Sequence, residues 1–230
     1  MRFDIGILAG SGPEAGIDLW QAVLKERRSE MGEGYRGDRD APSVLVRSDP
    51  RLGASMSMDE TYDEVAPVVV EHAAVLDPAC ARWAVACNTL NAVAPDVFAA
   101  GHGAHLVTFP AVLGEFLEDH DGDPPVLLGA RPVAALGERS PYRQYAASLR
   151  ALSGSHLDEL HELILDVKRV GPPWGGLGER LASLCARTGG STFLLACTEL
   201  PLIAARDDSR LVDMTTLVAR ALLVGLDRPT

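Results

Sequence analysis

The chain has 230 residues, enough for one large domain or two smaller ones with a real core. Its 47% apolar and 23% charged content is that of a globular protein. A net charge of −11 and a pI near 4.9 disfavour nucleic acid and anionic membrane surfaces as partners, but leave open a small anionic substrate met by a local cationic cluster.

Phe3–Ala9 is a β-like apolar run that ends in Gly10-Ser11-Gly12-Pro13. Pro13 suits the first turn of a helix, expected over Glu14–Glu30. A charged, Gly-rich loop covers Gly32–Pro42, and Ser43–Arg47 reads as a second strand. The loop Ser48–Met58 leads into a helix over Asp59–Leu76. Arg82–Ala86 is a third strand, Thr89–Phe98 a helix and His105–Thr108 a fourth short strand. The second half repeats this grammar, with a strand at Pro125–Gly129 after the turn-rich Asp119–Pro124. Helices are expected over Tyr142–Leu152, Leu157–Val170 and Glu179–Thr188. Between the last two, Gly171–Gly178 has the Gly and Pro content of a lid loop. Ser191–Ala196 is a strand, a helix starts at Glu199, and an apolar helix closes the chain from Thr215 to Leu226. Alternating strands and helices predict an α/β architecture with parallel sheets.

The apolar stretches Phe193–Ala205 and Leu211–Leu226 are shorter than a membrane span and carry Glu199, Asp213 and Arg220. Asp4 interrupts the N-terminal apolar run, which does not read as a signal peptide. A cytoplasmic setting with reduced thiols is therefore expected. The cysteines, Cys80, Cys87, Cys185 and Cys197, form no C-x-x-C pair, and His156 and His161 do not share a helix face. No metal site is expected.

A weak internal repeat divides the chain into two lobes, residues 1–103 with 209–230 and residues 104–208. Ile5–Gly10 resembles Val126–Ala130, and Trp83–Thr89 resembles Phe193–Glu199. Each half thus offers a small-residue loop after its first strand and a cysteine after a later strand. In parallel α/β sheets both features lie at the carboxyl ends of strands, where ligands bind. Two such lobes face to face would form a cleft lined by Cys87 and Cys197. A lone cysteine is more often a small buried hydrophobe. The matching strand–Cys–polar–helix contexts, with Asn88, Thr89 and Thr198 as cap residues, set these two apart. A helix N-terminus stabilises thiolate, so both thiols are expected to have lowered pKa values. Cys185 reads as a helix-core residue and Cys80 as a loop or helix-end residue.

Six segments run in one order along nearly the whole chain: GILAGSGPEA (6–15), ACNT (86–89), LLGAR (127–131), LDVKRVG (165–171), ACTELPLI (196–203) and LVDMTTLVARALL (211–223). With these the sequence resembles the aspartate/glutamate racemase superfamily, and within it the aspartate racemase branch. The resemblance implies two pseudo-symmetric lobes with the active site between them. It implies a cofactor-independent amino-acid racemase in which one thiol removes the α-proton and the other delivers a proton to the opposite face. Cys87 and Cys197 match the catalytic cysteines. Asn88, Thr89 and Thr198 match residues that hold the α-carboxylate and amino group. Gly10 and Ser11 lie where the first loop meets substrate. Arg51 matches the arginine for a side-chain carboxylate, Lys168 a lysine of the second lobe, and Glu199 a residue that orients its neighbours. An acidic amino acid as substrate and a homodimer are further implications.

The chain departs from the family pattern at the pocket. Leu90-Asn91 replaces the usual Ala-His after Cys-Asn-Thr, Ser11 stands where Met or Gly is common, and Asp49-Pro50-Arg51 inverts the usual order. These changes bear on substrate identity more than on fold. A maleate-type cis–trans isomerase of the same superfamily and a non-catalytic two-lobed binding protein are the alternatives. Gly10-Ser-Gly12-Pro-Glu-Ala15 also fits the G-x-G-x-x-A dinucleotide pattern, but no acidic residue ends a second strand at the required distance.

Overall fold

A computed structural model describes residues 2–152, 154–173 and 175–226. Two parallel sheets carry the fold. The first has strands β1 (Phe3–Ala9), β2 (Val44–Ser48) and β3 (Cys80–Val85) in the order β2-β1-β3. The second has β4 (Val126–Leu128), β5 (Arg150–Ala151), β6 (Phe193–Leu195) and β7 (Leu211–Asp213) in the order β5-β4-β6-β7. The internal repeat is visible in this order, because in each sheet the first strand is flanked by the second and third. The architecture is α/β with two helix-flanked parallel sheets.

Helix α1 (Pro13–Met31) begins on a proline, which lacks the N–H that a first turn leaves unpaired. Gly16 lets α1 lie directly on β1, since a Cβ there would sit 2.4 Å from that of Ala9. Helix α2 (Met58–Ala79) runs into β3, and a 3₁₀ stretch, Pro50–Ser57, precedes it in what reads as loop. The expected helix over Thr89–Phe98 is a 3₁₀ turn, Thr89–Val93, followed by the short α3 (Ala94–Ala99). His105–Thr108 forms only an isolated bridge from Leu106 to Trp83. Beyond it lies α4 (Phe109–Glu118), a helix that the sequence pattern does not announce. Thr108 caps α4 by accepting from Ala111 N at 3.2 Å.

The second lobe adds α5 (Arg131–Ala134), α6 (Gly154–Val170), α7 (Leu177–Thr188) and α8 (Leu200–Ile203). The helix expected over Tyr142–Leu152 is instead a 3₁₀ turn, Arg143–Ser148, and edge strand β5. Of the Gly171–Gly178 loop, Trp174 lies outside the described residues, and Leu177 and Gly178 already belong to α7. The closing helix α9 (Met214–Leu223) is capped by Asp213, which accepts from Thr215 N and Thr216 N. The terminal segment divides: β7 pairs with β6, while α9 packs along α1 through Leu19, Val23, Val218 and Leu222.

One apolar core is common to both sheets and holds Ile5, Ile7, Ala84 and Ala86 together with Leu127, Leu194 and Ala196. Separate clusters lie under α2 in the first lobe and under α6 and α7 in the second. A further tie between lobes is Arg139, whose guanidinium stacks 4.0 Å from the ring centre of Tyr62 on α2. No described helix is long and apolar enough to cross a membrane.

Candidate active site

The two cysteines occupy equivalent places at the ends of β3 and β6. Ala86 N donates to Leu8 O of β1 at 2.8 Å, and Ala196 N donates to Leu128 O of β4 at 2.7 Å. Each strand is thereby held against its central neighbour until the residue before the cysteine. Cys87 is 7% exposed and Cys197 6%. Chain turns follow both: Asn91 N bonds Asn88 O, and Leu200 N bonds Cys197 O.

Polar contacts run from one thiol to the other across the lobes. Cys87 Sγ lies 4.0 Å from Ser55 Oγ, and Ser55 Oγ lies 2.6 Å from Ser11 Oγ. Lys168 Nζ donates to the backbone oxygen of Ser11 at 3.4 Å and forms a short ion pair with Glu199 Oε1. Glu199 Oε2 accepts from Cys197 Sγ at 2.9 Å and from Thr198 Oγ1 at 3.4 Å. Ser11, Lys168, Thr198, Glu199 and both thiols therefore share one site. Lys168 bridges the first-lobe loop at Ser11 and the carboxylate that holds Cys197, and Tyr142 reaches Asn88, the residue after Cys87, through its hydroxyl.

Gly10 and Gly12 are dictated by packing. A Cβ on Gly10 (φ +133°) would sit 2.0 Å from Asp49 O, and one on Gly12 (φ +88°) 2.2 Å from Glu199 Oε1. The G-x-G spacing thus admits a backbone on one side and the Lys168–Glu199 pair on the other.

The electrostatics depart from expectation at Cys197. Its thiol is pushed well above the usual range, first by burial and then by the charge of Glu199, with Lys168 opposing. The anticipated lowering fails because the sulfur is buried and a carboxylate touches it. Burial would depress Lys168, but Glu199, Cys197 and Cys87 more than offset it, and its pKa is raised. Burial, then Cys87 and Cys197, push the Tyr142 phenol well up.

Asn88 is 2% exposed, and its Oδ1 accepts a short hydrogen bond from Tyr142 of the opposite lobe. Thr89 is buried at the start of the turn after Cys87. Asn91 is a brace: its Nδ2 donates to Cys87 O and its Oδ1 accepts from Phe109 N, both at 2.9 Å. Arg51 is engaged by acidic neighbours, with its half-exposed guanidinium on Asp49 at 2.6 Å and on Glu71 at 3.1 Å. Asp49 also accepts from His72 Nε2, whose Nδ1 accepts from Arg47. Hydrogen bonds from Arg51 and His72 hold the Asp49 carboxyl well below the usual range.

Sequence reasoning missed Ser55 and Tyr142. Ser55 follows the second strand, at the sheet end where ligands bind, and that position was its only signal. Tyr142 had none, since it sits in a stretch that reads as helix. Among the described residues no group of three or more His, Cys, Asp or Glu is arranged to hold a metal ion.

No family model and no curated protein sequence matches this chain. Solved structures share its fold. An aspartate racemase from Picrophilus torridus superposes with a TM-score of 0.76 at 18% identity, over 95% of this chain and 92% of the other. An aspartate racemase homologue from Pyrococcus horikoshii superposes with a TM-score of 0.71 at 19% identity, over 97% and 98%. The two-lobed fold of this chain is the fold of those structures.

Proposed function

We propose that this protein is a cofactor-independent amino-acid racemase whose acid–base pair is Cys87 and Cys197. One observation carries the reading: the equivalent strand-end cysteines of two repeated sheets are joined across the lobes by the polar contacts of Ser55, Ser11, Lys168 and Glu199. Binding alone requires neither thiol.

In this mechanism one cysteine, as thiolate, takes the α-proton, and the electron pair stays on the substrate as a carbanion delocalised into the carboxylate. The other cysteine, as thiol, gives its proton to the opposite face. Each sulfur ends in the other's starting state, ready for the reverse reaction. The contact with Glu199 favours the protonated form of Cys197 at rest. The hydroxyl pair Ser11–Ser55 lies beside Cys87. The Glu199 contact supports Cys197 as the thiol that delivers the proton from the resting enzyme. An α-proton is a very weak acid, so preorganised donors must meet the developing charge. Lys168 and the turn after each cysteine are suited to that task, with Asn88, Thr89 and Thr198 as carboxylate and ammonium ligands and Gly10 and Ser11 as the loop against the substrate.

The substrate class in this reading is an acidic amino acid. Lys168 supplies one cation. Arg51 supplies another if it trades Glu71 for a substrate carboxylate, a cheap exchange because both partners are more than half exposed.

The test is incubation with L- and D-amino acids in D2O. The wild-type protein should wash deuterium into the α-position of its substrate, and Cys87→Ser and Cys197→Ser should each lose racemisation. Wild-type rates in both variants would refute the two-thiol mechanism.

A further inference from the structure

Asn88 presents an unusual account of hydrogen bonds. The residue is buried, with only 2% of its surface exposed, and its Oδ1 is taken by the Tyr142 hydroxyl. Its Nδ2 is buried with no hydrogen-bond partner among the described residues. A buried amide N–H left unpaired is costly, so such a group is rarely left without a purpose. Asn88 directly follows Cys87 at the carboxyl end of β3, in the turn closed by Asn91 N on Asn88 O.

A phenol has one proton to give, and a carboxamide offers an acceptor at one end and two donors at the other. With Tyr142 donating to Oδ1, the amide turns its donor end away from the phenol. Reversed, Asn88 would offer an oxygen, which suits an ammonium group. As it stands it offers N–H, which suits a carboxylate oxygen. Tyr142 itself is held rigidly. It is fully buried in the core common to both sheets. Its N–H donates to Ser140 Oγ at 3.3 Å, Ser140 Oγ donates to Val133 O at 2.7 Å, and Tyr142 O accepts from Tyr145 N at 2.9 Å. Burial also keeps the phenol protonated, as a donor must be.

We propose that Tyr142 is a positioning residue: from the second lobe it fixes the polarity of the Asn88 amide, so that Asn88 takes a substrate carboxylate and not its ammonium group. This rests on the racemase reading. It adds a cross-lobe dependence, because the first lobe's carboxylate ligand is then set correctly only when the second lobe is docked on it.

The experiment is a double-mutant cycle with Tyr142→Phe and Asn88→Ala, read as kcat/KM for racemisation. Phe keeps the ring and removes only the hydroxyl. Tyr142→Phe should lower kcat/KM about tenfold to a hundredfold, the worth of one buried hydrogen bond. Asn88→Ala should cost at least as much, and adding Tyr142→Phe to it should change kcat/KM by less than about twofold, since no amide remains to be oriented. A merely structural role for Tyr142 predicts additive losses in the double variant, and that result, or full activity of Tyr142→Phe, overturns the proposal. Should Tyr142→Phe fail to fold, the wild-type protein still decides: in 15N-labelled protein the Asn88 side-chain amide protons should shift downfield on adding L-aspartate or L-glutamate, whichever exchanges its α-proton. An unmoved amide overturns the proposal. Absence of α-proton exchange in the wild-type protein would instead defeat the racemase reading, so the two failures are distinct.

Discussion

The thiol of Cys197 donates to Glu199 Oε2 at 2.9 Å, so a buried carboxylate holds the proton on the second cysteine. Glu199 is in turn neutralised by Lys168, which also touches the backbone of Ser11 in the other lobe. The protonation state of one sulfur is therefore linked to the docking of the two lobes.

Glu199→Gln should lower the pKa of Cys197. The substitution removes a negative charge that disfavours thiolate and frees Lys168, which favours it. Alkylation by iodoacetamide, followed at Cys197 by peptide mass spectrometry across pH, should begin at lower pH than in the wild-type protein. An unchanged profile would mean that burial alone sets the proton.

Gly12→Ala tests the close approach of the lobes. The new Cβ would meet Glu199 Oε1 at 2.2 Å and Lys168 Nζ at 3.1 Å, at a φ of +88°. A non-glycine residue in that region costs roughly 1–2 kcal/mol before any clash. Displacing Glu199 from Lys168 adds to the loss, because a buried carboxylate then lacks its cation. The expected result is a lower Tm and a large loss of activity. Gly53→Ala, with nothing within 4 Å of its Cβ, is the control and should leave both nearly unchanged.

Asn91→Ala should destabilise the protein by about 2–3 kcal/mol, since it leaves the Phe109 N–H and the Cys87 carbonyl without their partner in a buried site. The urea midpoint should fall with an unchanged slope. A neutral result would mean that water replaces the brace. Asn91 thus has a structural account: it ties the first cysteine turn to the start of α4.

The repeat was legible because it is local. Ile5–Gly10 and Val126–Ala130, or Trp83–Thr89 and Phe193–Glu199, carry the same alternation of apolar strand and small-residue turn, and the sheets repeat one strand order. Cys87, Cys197, Lys168, Glu199 and Ser11 were legible as a set through motif resemblance. Ser55 and Tyr142 were not, because each enters through a contact of long sequence separation, Ser55 with Ser11 and Tyr142 with Asn88. Arg51 was legible as a cation, but its ties to Asp49 and Glu71 were not. Helix α4 was hidden because the β-like run His105–Thr108 ends on the very residue that caps it. The lowered pKa expected of Cys197 failed for a similar reason: the strand–Cys–helix pattern shows where a helix starts, not how deeply the sulfur is buried or that Glu199 folds back onto it.

A last prediction concerns stability away from the site. Asp18 on α1 has its pKa raised from 3.8 to about 6, first by burial and then by the charge of Asp213, with Arg206 and Lys25 opposing. Asp213 cannot give way easily, because its carboxylate caps α9. Between those two pKa values the folded protein keeps a proton that the unfolded chain has lost, so stability falls as pH rises through that window. Below it both states are protonated and the group is neutral in its effect; above it the full penalty applies. Asp18→Asn should therefore raise Tm at neutral pH and leave it nearly unchanged below pH ~4. Calorimetric scans of both proteins across pH will check this. A gain of equal size at both ends would show that the new amide stabilises through packing or hydrogen bonding, and that burying the Asp18 charge beside Asp213 does not limit stability.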